Sequence, residues 1–241
     1  MAGKSNYQEW RIQLINNRKN KPIDDDSGVY NVLSADDPSE VTLYADGQGT
    51  SATNPGTMTD GVMNFWTSSS QTSVDITVLT SNGHSFFLED VSVSDARILV
   101  NTEKMENTLV IPYQVVGASE AIVDTGFDIL ANMLIKDVFV HITTLGTGAV
   151  LDIGTSTDSD GFADGVSVGT TGYPVTLLDE ALVSTSSLIG ALLAAITGTN
   201  VRKLHQRANA TSGANIVYTN TTSSSTAGEG YIYVTYLRIP A

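Results

Sequence analysis

The chain has 241 residues, 16% of them charged, with a formal net charge of −14 and no cysteine. That length accommodates one large or two modest domains, each with its own core. The acidity excludes broad binding to nucleic acid, which needs a positive footprint, and the missing thiols exclude disulfides and thiolate chemistry.

Charge is unevenly placed. Lys4, Arg11, Arg18, Lys19 and Lys21 lie in the first 21 residues, and only Arg97, Lys104 and Lys136 follow before Val201. Residues 1–26 are therefore expected to form a basic N-terminal arm and first strand on an acidic body. One reading is a solvated tail, and the other is an arm docked on an acidic neighbouring subunit. The opening "MAGKSNYQEW" lacks the apolar core of a signal peptide, and the longest apolar run, Leu188–Ile196, is short of the ~20 residues that span a bilayer. A soluble chain without a secretion address of its own is expected.

Along the chain, alternating apolar residues dominate. "EWRIQLIN" (Glu9–Asn16) sets Trp10, Ile12 and Leu14 against polar neighbours. After the acidic turn Asp24-Asp25-Asp26 come "GVYNVLSA", "EVTLYAD", "VMNFWTS" and "SVDITVLTS". Asn82-Gly83 then links to "SFFLEDVSVS", a strong hairpin signal. "ARILVNT" and "TLVIPYQVV" complete a first β domain over 27–115. The second, 116–241, carries "KDVFVHITT", "AVLDIGTS", "GYPVTLLD", "NIVYTN" and "GYIYVTYLRI". In the last, bulk on both faces predicts a central strand or a subunit contact. "DILANMLI" (Asp128–Ile135) and "SSLIGALLAAI" (Ser186–Ile196) are helix candidates. Strands about every ten residues, separated by turn signals, predict an all-β antiparallel sandwich, jelly-roll-like.

Little points to catalysis. His84, His141 and His205 sit in no metal-ligand spacing, and no nucleophile elbow or phosphate loop occurs. In "STDSDGFADG" (Ser156–Gly165), Asp158, Asp160 and Asp164 around Gly161 partly match an oxygen-rich calcium loop. Ser156 stands where the first carboxylate belongs, and Ser167 where a bidentate Glu belongs. An exposed acidic turn explains the same residues. In "IDDDSG", neighbouring Asp residues of an extended chain alternate sides, so three cannot face one ion, and a solvated turn is expected. Asn209 and Asn220 match the glycosylation pattern, which has no meaning without a secretory route.

The seventeen residues "ADGQGTSATNPGTMTDG" (Ala45–Gly61) between two strands form an unusually long aperiodic loop. With its flanks, "TLYADGQGTSATNPGTMTDGVMNFWT" resembles a segment of tailed-bacteriophage head and tail appendages. "DTGFDILANMLIKDVFVHITT", "LDIGTSTDSDGFADGVSVGTTG" and "GEGYIYVTYLRIP" resemble a β-sandwich domain of phage virion proteins. The resemblance implies a non-enzymatic structural protein on the virion capsid surface, made in the host cytoplasm. It would be a decoration or cement protein that bridges capsomers, with the major capsid protein and its own copies, as a trimer, for partners. Ala45–Gly61 and Thr219–Gly230 would then be contact or tip loops. Lys4, Arg11, Arg18, Lys19 and Lys21 would meet the shell, and Trp10 would anchor the first strand and add aromatic contact area. The alternative is a head-fibre or tail-tip adhesin for a host receptor or glycan, with Tyr173, Tyr218 or Tyr231 as stacking platforms. A polysaccharide hydrolase with an Asp or Glu pair ranks third. No membrane or nucleic-acid partner and no cofactor beyond the calcium at Asp158, Asp160 and Asp164 is expected.

Overall fold

The computed structural model describes residues 6–35, 38–100, 102, 106–115, 122–169, 175–176, 205–206, 215–222 and 226–239. Lys4, Tyr173, Asn209 and the helix candidate Ser186–Ile196 fall outside them. The described residues are all-β, with no helix among them. The chain divides into two compact units, Met1–Lys104 and Met105–Ala241.

The first unit holds β1 (Tyr7–Asn16), β2 (Lys21–Pro22), β3 (Val29–Ser34), β4 (Gly56–Thr57), β5 (Val62–Ser68), β6 (Ser73–Leu79), β7 (Ser85–Ser92) and β8 (Arg97–Val100). One sheet runs β2-β1-β5, with β8 also on β1, and the other runs β4-β3-β6-β7. They close on one core. Trp10, Ile12, Leu14, Met63 and Phe65 from the first sheet meet Tyr30, Val32, Val74, Ile76 and Val78 from the second. The alternation of "EWRIQLIN" is what turns its apolar set into that core. The first strand expected within residues 1–26 is present as β1, residues 7–16. They form the middle of a sheet, antiparallel to β2 and β5 and parallel to β8. The Asn82-Gly83 hairpin is present, with Gly83 at φ 77° joining β6 to β7.

The second unit holds β9 (Glu106–Val115), β10 (Val123–Asp128), β11 (Met133–Thr144), β12 (Val150–Thr155), β13 (Asp158–Ser167), β14 (Val175–Thr176), β15 (His205–Gln206), β16 (Asn215–Asn220) and β17 (Gly228–Arg238). Its sheets run β14-β11-β17-β9, with β15 also on β11, and β10-β16-β12-β13. Tyr113 of one meets Tyr218 of the other edge-on, at 6.4 Å between ring centroids. The strand 106–115, placed in the first half by its sequence, belongs here because it pairs along its length with β17. β17 is central, and its Ile232, Val234 and Tyr236 are fully buried. The Asp128–Ile135 helix candidate is a strand end, a turn and the start of β11. Phe127, Ile129, Met133 and Ile135 are all buried, so tertiary packing overrides a weak local preference.

Candidate interaction surface and acidic clusters

The first sheet places the basic residues. Trp10 is fully buried, its Nε1 donates to Thr67 Oγ1 at 2.9 Å, and its ring stacks on Phe65 with centroids 5.8 Å apart. It anchors the strand from inside and offers no outward contact area, which corrects its assignment to a shell interface. Arg11 points to the opposite, exposed face, beside Asn64 of β5. Arg97 of β8 lies beside Gln13 in the parallel ladder, so both arginines share that face. Exposed Leu99 follows two residues on. Beyond Asn16 the chain turns. Asn16 Oδ1 accepts from the amides of Arg18 and Lys19 at 3.0 and 2.9 Å, and Asn20 takes the left-handed conformation at φ 48°. Arg18 and Lys19 are thereby exposed on a tight turn, and Lys21 opens β2 opposite Asn16. Arg97 escaped sequence reasoning because only the parallel β1–β8 pairing brings it here.

The expected solvated turn holds for Asp24 and Asp26 but not for Asp25. Asp25 is buried, and its carboxylate accepts from the amides of Ser27, Gly28 and Ser81 at 3.1, 2.9 and 2.8 Å. Asp24 and Asp26 point outward and meet Asp60, all three exposed, with one oxygen of each within 4.8 Å of the others. Among the described residues this is the one gathering of acidic or imidazole groups with metal-like spacing. Its hard oxygen donors are of the kind a divalent cation such as Ca²⁺ takes. The third member comes from the long loop, which no local motif in "IDDDSG" could announce.

The calcium candidates lie elsewhere and do not form such a set. Asp158, Asp160 and Asp164 belong to a strand, β13, whose register slips twice against β12. The slack lets residues 158–161 fold over Gly154, where a Cβ would strike the backbone of Asp158, Ser159 and Gly161. Asp158 and Asp160 share a hydrogen bond, which with burial raises the Asp158 pKa. Asp152 is raised by burial, against a 2.8 Å bond from the Gly165 amide, with Asp164 and Asp160 adding repulsion. This is a crowded acidic hairpin, not a preformed cage.

The Ala45–Gly61 loop is braced from within the first unit. Ala45 and Ala52 donate to the carbonyls of Thr50 and Leu43, and Met58 and Gly61 donate to Gly28 and Asp25. Asp46 caps its turn through the amides of Gln48 and Thr50. Asn54, which precedes Pro55 through a cis peptide bond, ties β3 to Val41 with its side chain. The order of this loop thus needs no neighbouring subunit.

Other candidates resolve simply. His84 is buried and stacks with Phe86, and His141 is half-buried opposite Tyr231. The side chain of His205 is outside the description. Tyr218 is buried, with its hydroxyl at the backbone of Gln114, so it is no stacking platform. Asn220 is fully buried, which removes it as a glycosylation acceptor. Tyr231 is half-buried in a strip where Phe139 and Tyr233 stack at 4.6 Å and Tyr231 stands edge-on to Tyr233.

No family model, no curated protein and no solved structure matches this chain.

Proposed function

We propose that the chain is a non-enzymatic structural protein that attaches to an acidic partner surface through the cationic face of its first unit. In the setting its sequence resembles, this is a decoration protein on a tailed-phage head, a homotrimer on the major capsid protein. The observation that carries the reading is the placement of Arg11 and Arg97 on one exposed sheet face, with Arg18, Lys19 and Lys21 exposed at the end of the strand, on a chain of net charge −14. A local cationic face on an acidic body favours one orientation of approach, and the attraction weakens with salt as the screening length falls to about 8 Å at 0.15 M. Rigid strands below the face keep the ordering cost of attachment small.

The test is copy number per purified particle, by quantitative mass spectrometry against the major shell protein. A simple lattice ratio supports the reading, provided that Arg18→Glu/Lys19→Glu/Lys21→Glu protein no longer loads onto particles. A handful of copies overturns it and favours a second reading, an appendage that binds a host receptor. The strip of Phe139, Tyr231 and Tyr233 supports that second reading. Absence from particles overturns both.

A further inference from the structure

β1 is flanked on both sides only from Gln13 onward. Its even-numbered residues bond towards β5, as where the Asn6 carbonyl accepts from Ser69 and the Leu14 amide donates to Gly61. Its odd-numbered residues turn to the other side, where the amides of Gln13 and Asn17 donate to the carbonyls of Ala96 and Val100 along β8. β8 starts at Arg97, beside Gln13. Among the described residues, no strand continues that lane alongside Tyr7–Ile12. The main-chain N–H and C=O of Glu9 and Arg11 therefore point into an open lane, and both residues are exposed.

This half-edge is already straight and fixed. Its pairing with β5 is unbroken from Tyr7 to Gln13, and Trp10 and Ile12 hold it to the core. No Pro, Gly or bulge interrupts it, although those are the usual devices that keep an edge from pairing. A rigid row of alternating donors and acceptors takes up an extended segment with little ordering cost on its own side.

Charge selects the segment. Neither the Arg11 nor the Arg97 guanidinium has an ion pair or a hydrogen bond among the described residues. An added residue opposite Arg11 lies about 5 Å from it across the ladder and about 7 Å along the lane from Arg97. A carboxylate at that position reaches both. We infer that the acidic partner binds by strand addition: an extended segment of it fills the lane beside Glu9–Arg11, with an Asp or Glu between Arg11 and Arg97. This rests on the proposed attachment to an acidic partner and gives it a mode. Face-on docking by charge alone is the competing mode, and it leaves the two amides exposed.

The test has two parts. The first is hydrogen exchange of the full chain, free and loaded on particles, read at single amides by mass spectrometry. In the free chain, Glu9 and Arg11 are expected to exchange fast between protected Trp10 and Ile12. On particles, both are expected to slow at least tenfold. The second part is loading of variants onto particles that lack the protein. Glu9→Pro deletes a donor that β5 does not use, a position where an edge strand tolerates proline. Against Glu9→Gln, which removes the same charge and keeps the amide, Glu9→Pro is expected to load about tenfold more weakly. Charge-only docking predicts that the two load alike. Arg11→Glu is expected to weaken loading at least as much as Glu9→Pro. Protection of both amides in the free chain means that the lane is filled by this chain or by a second copy, and overturns the inference. So do amides that stay fast on loaded particles, or a Glu9→Pro variant with a parental urea midpoint that loads like Glu9→Gln. Those results leave the attachment itself standing. Parent protein that never loads overturns the attachment, and the inference with it.

Discussion

Replacing Trp10 by Phe separates a core role from an outward one. The indole is fully buried, stacked on Phe65 and bonded to Thr67 Oγ1. The exchange removes about three buried heavy atoms, worth roughly 2 kcal/mol at ~0.8 kcal/mol each, with a further cost where the cavity does not collapse. It also removes one buried hydrogen bond, worth about 1 kcal/mol. The Thr67 hydroxyl still reaches the Ser68 carbonyl at 3.2 Å, so that loss is not enlarged by a stranded donor. The total is about 3 kcal/mol, a drop in Tm of roughly 10–20 °C for a unit of this size. The assay is urea and thermal unfolding of the isolated protein, followed by tryptophan fluorescence. The chain has two tryptophans, both in the first unit, so Trp66 reports that unit alone in the variant. A loss below about 0.5 kcal/mol in isolated protein would refute the core assignment, since a side chain used only for outward contact contributes nothing before its partner arrives.

Asp25→Ala is expected to cost the first unit about 3 kcal/mol or more in the same urea assay, because the amides of Ser27, Gly28 and Ser81 lose their acceptor together. Asp25→Asn, which keeps one oxygen, should cost less. Gly61→Ala is expected to destabilise by about 2 kcal/mol or more, since φ is +67° and the new Cβ runs into the Ile23 carbonyl. Gly49→Ala, where the obstacle is the movable Tyr7 side chain, should lose less. Glu40→Gln is expected to raise Tm at pH 7. The folded-state pKa of Glu40 lies above its unfolded value, so its contribution is fully present below the unfolded pKa and is lost as pH rises through the folded one. The difference between variant and parent should therefore vanish towards acid pH in thermal melts, and a constant difference across pH would refute the assignment.

Much of the β-structure was legible because period-2 alternation is local. "EWRIQLIN" announced its strand and which of its residues share a face, and Asn82-Gly83 announced its hairpin. Pairing between distant segments was not legible. Nothing near Arg97 signals a parallel partner at Gln13, and nothing in "TLVIPYQVV" says that it lies against β17 rather than with the strands before it. The same gap explains Trp10. An aromatic residue amid basic neighbours fits an interface on paper, but the face it occupies is settled by the sheet above it. The acidic turn shows the limit from the other side. The burial of Asp25 depends on the distant Ser81 amide as well as on its own turn, and the arrival of Asp60 from 34 residues on depends on how the long loop folds back, so neither could be read from "IDDDSG".

The position of β17 has a consequence for biosynthesis. β9 and β11 each pair with β17 and not with one another, so their sheet has a gap until residues 228–238 are in place. On the ribosome, the first unit can close while its successor is still being made. The second must wait with unpaired strand edges on β9 and β11, a template for unwanted partners. Its yield in the cell should depend on how fast the chain runs from Val115 to Arg238, and synonymous codons that slow that stretch should send more chains into aggregates.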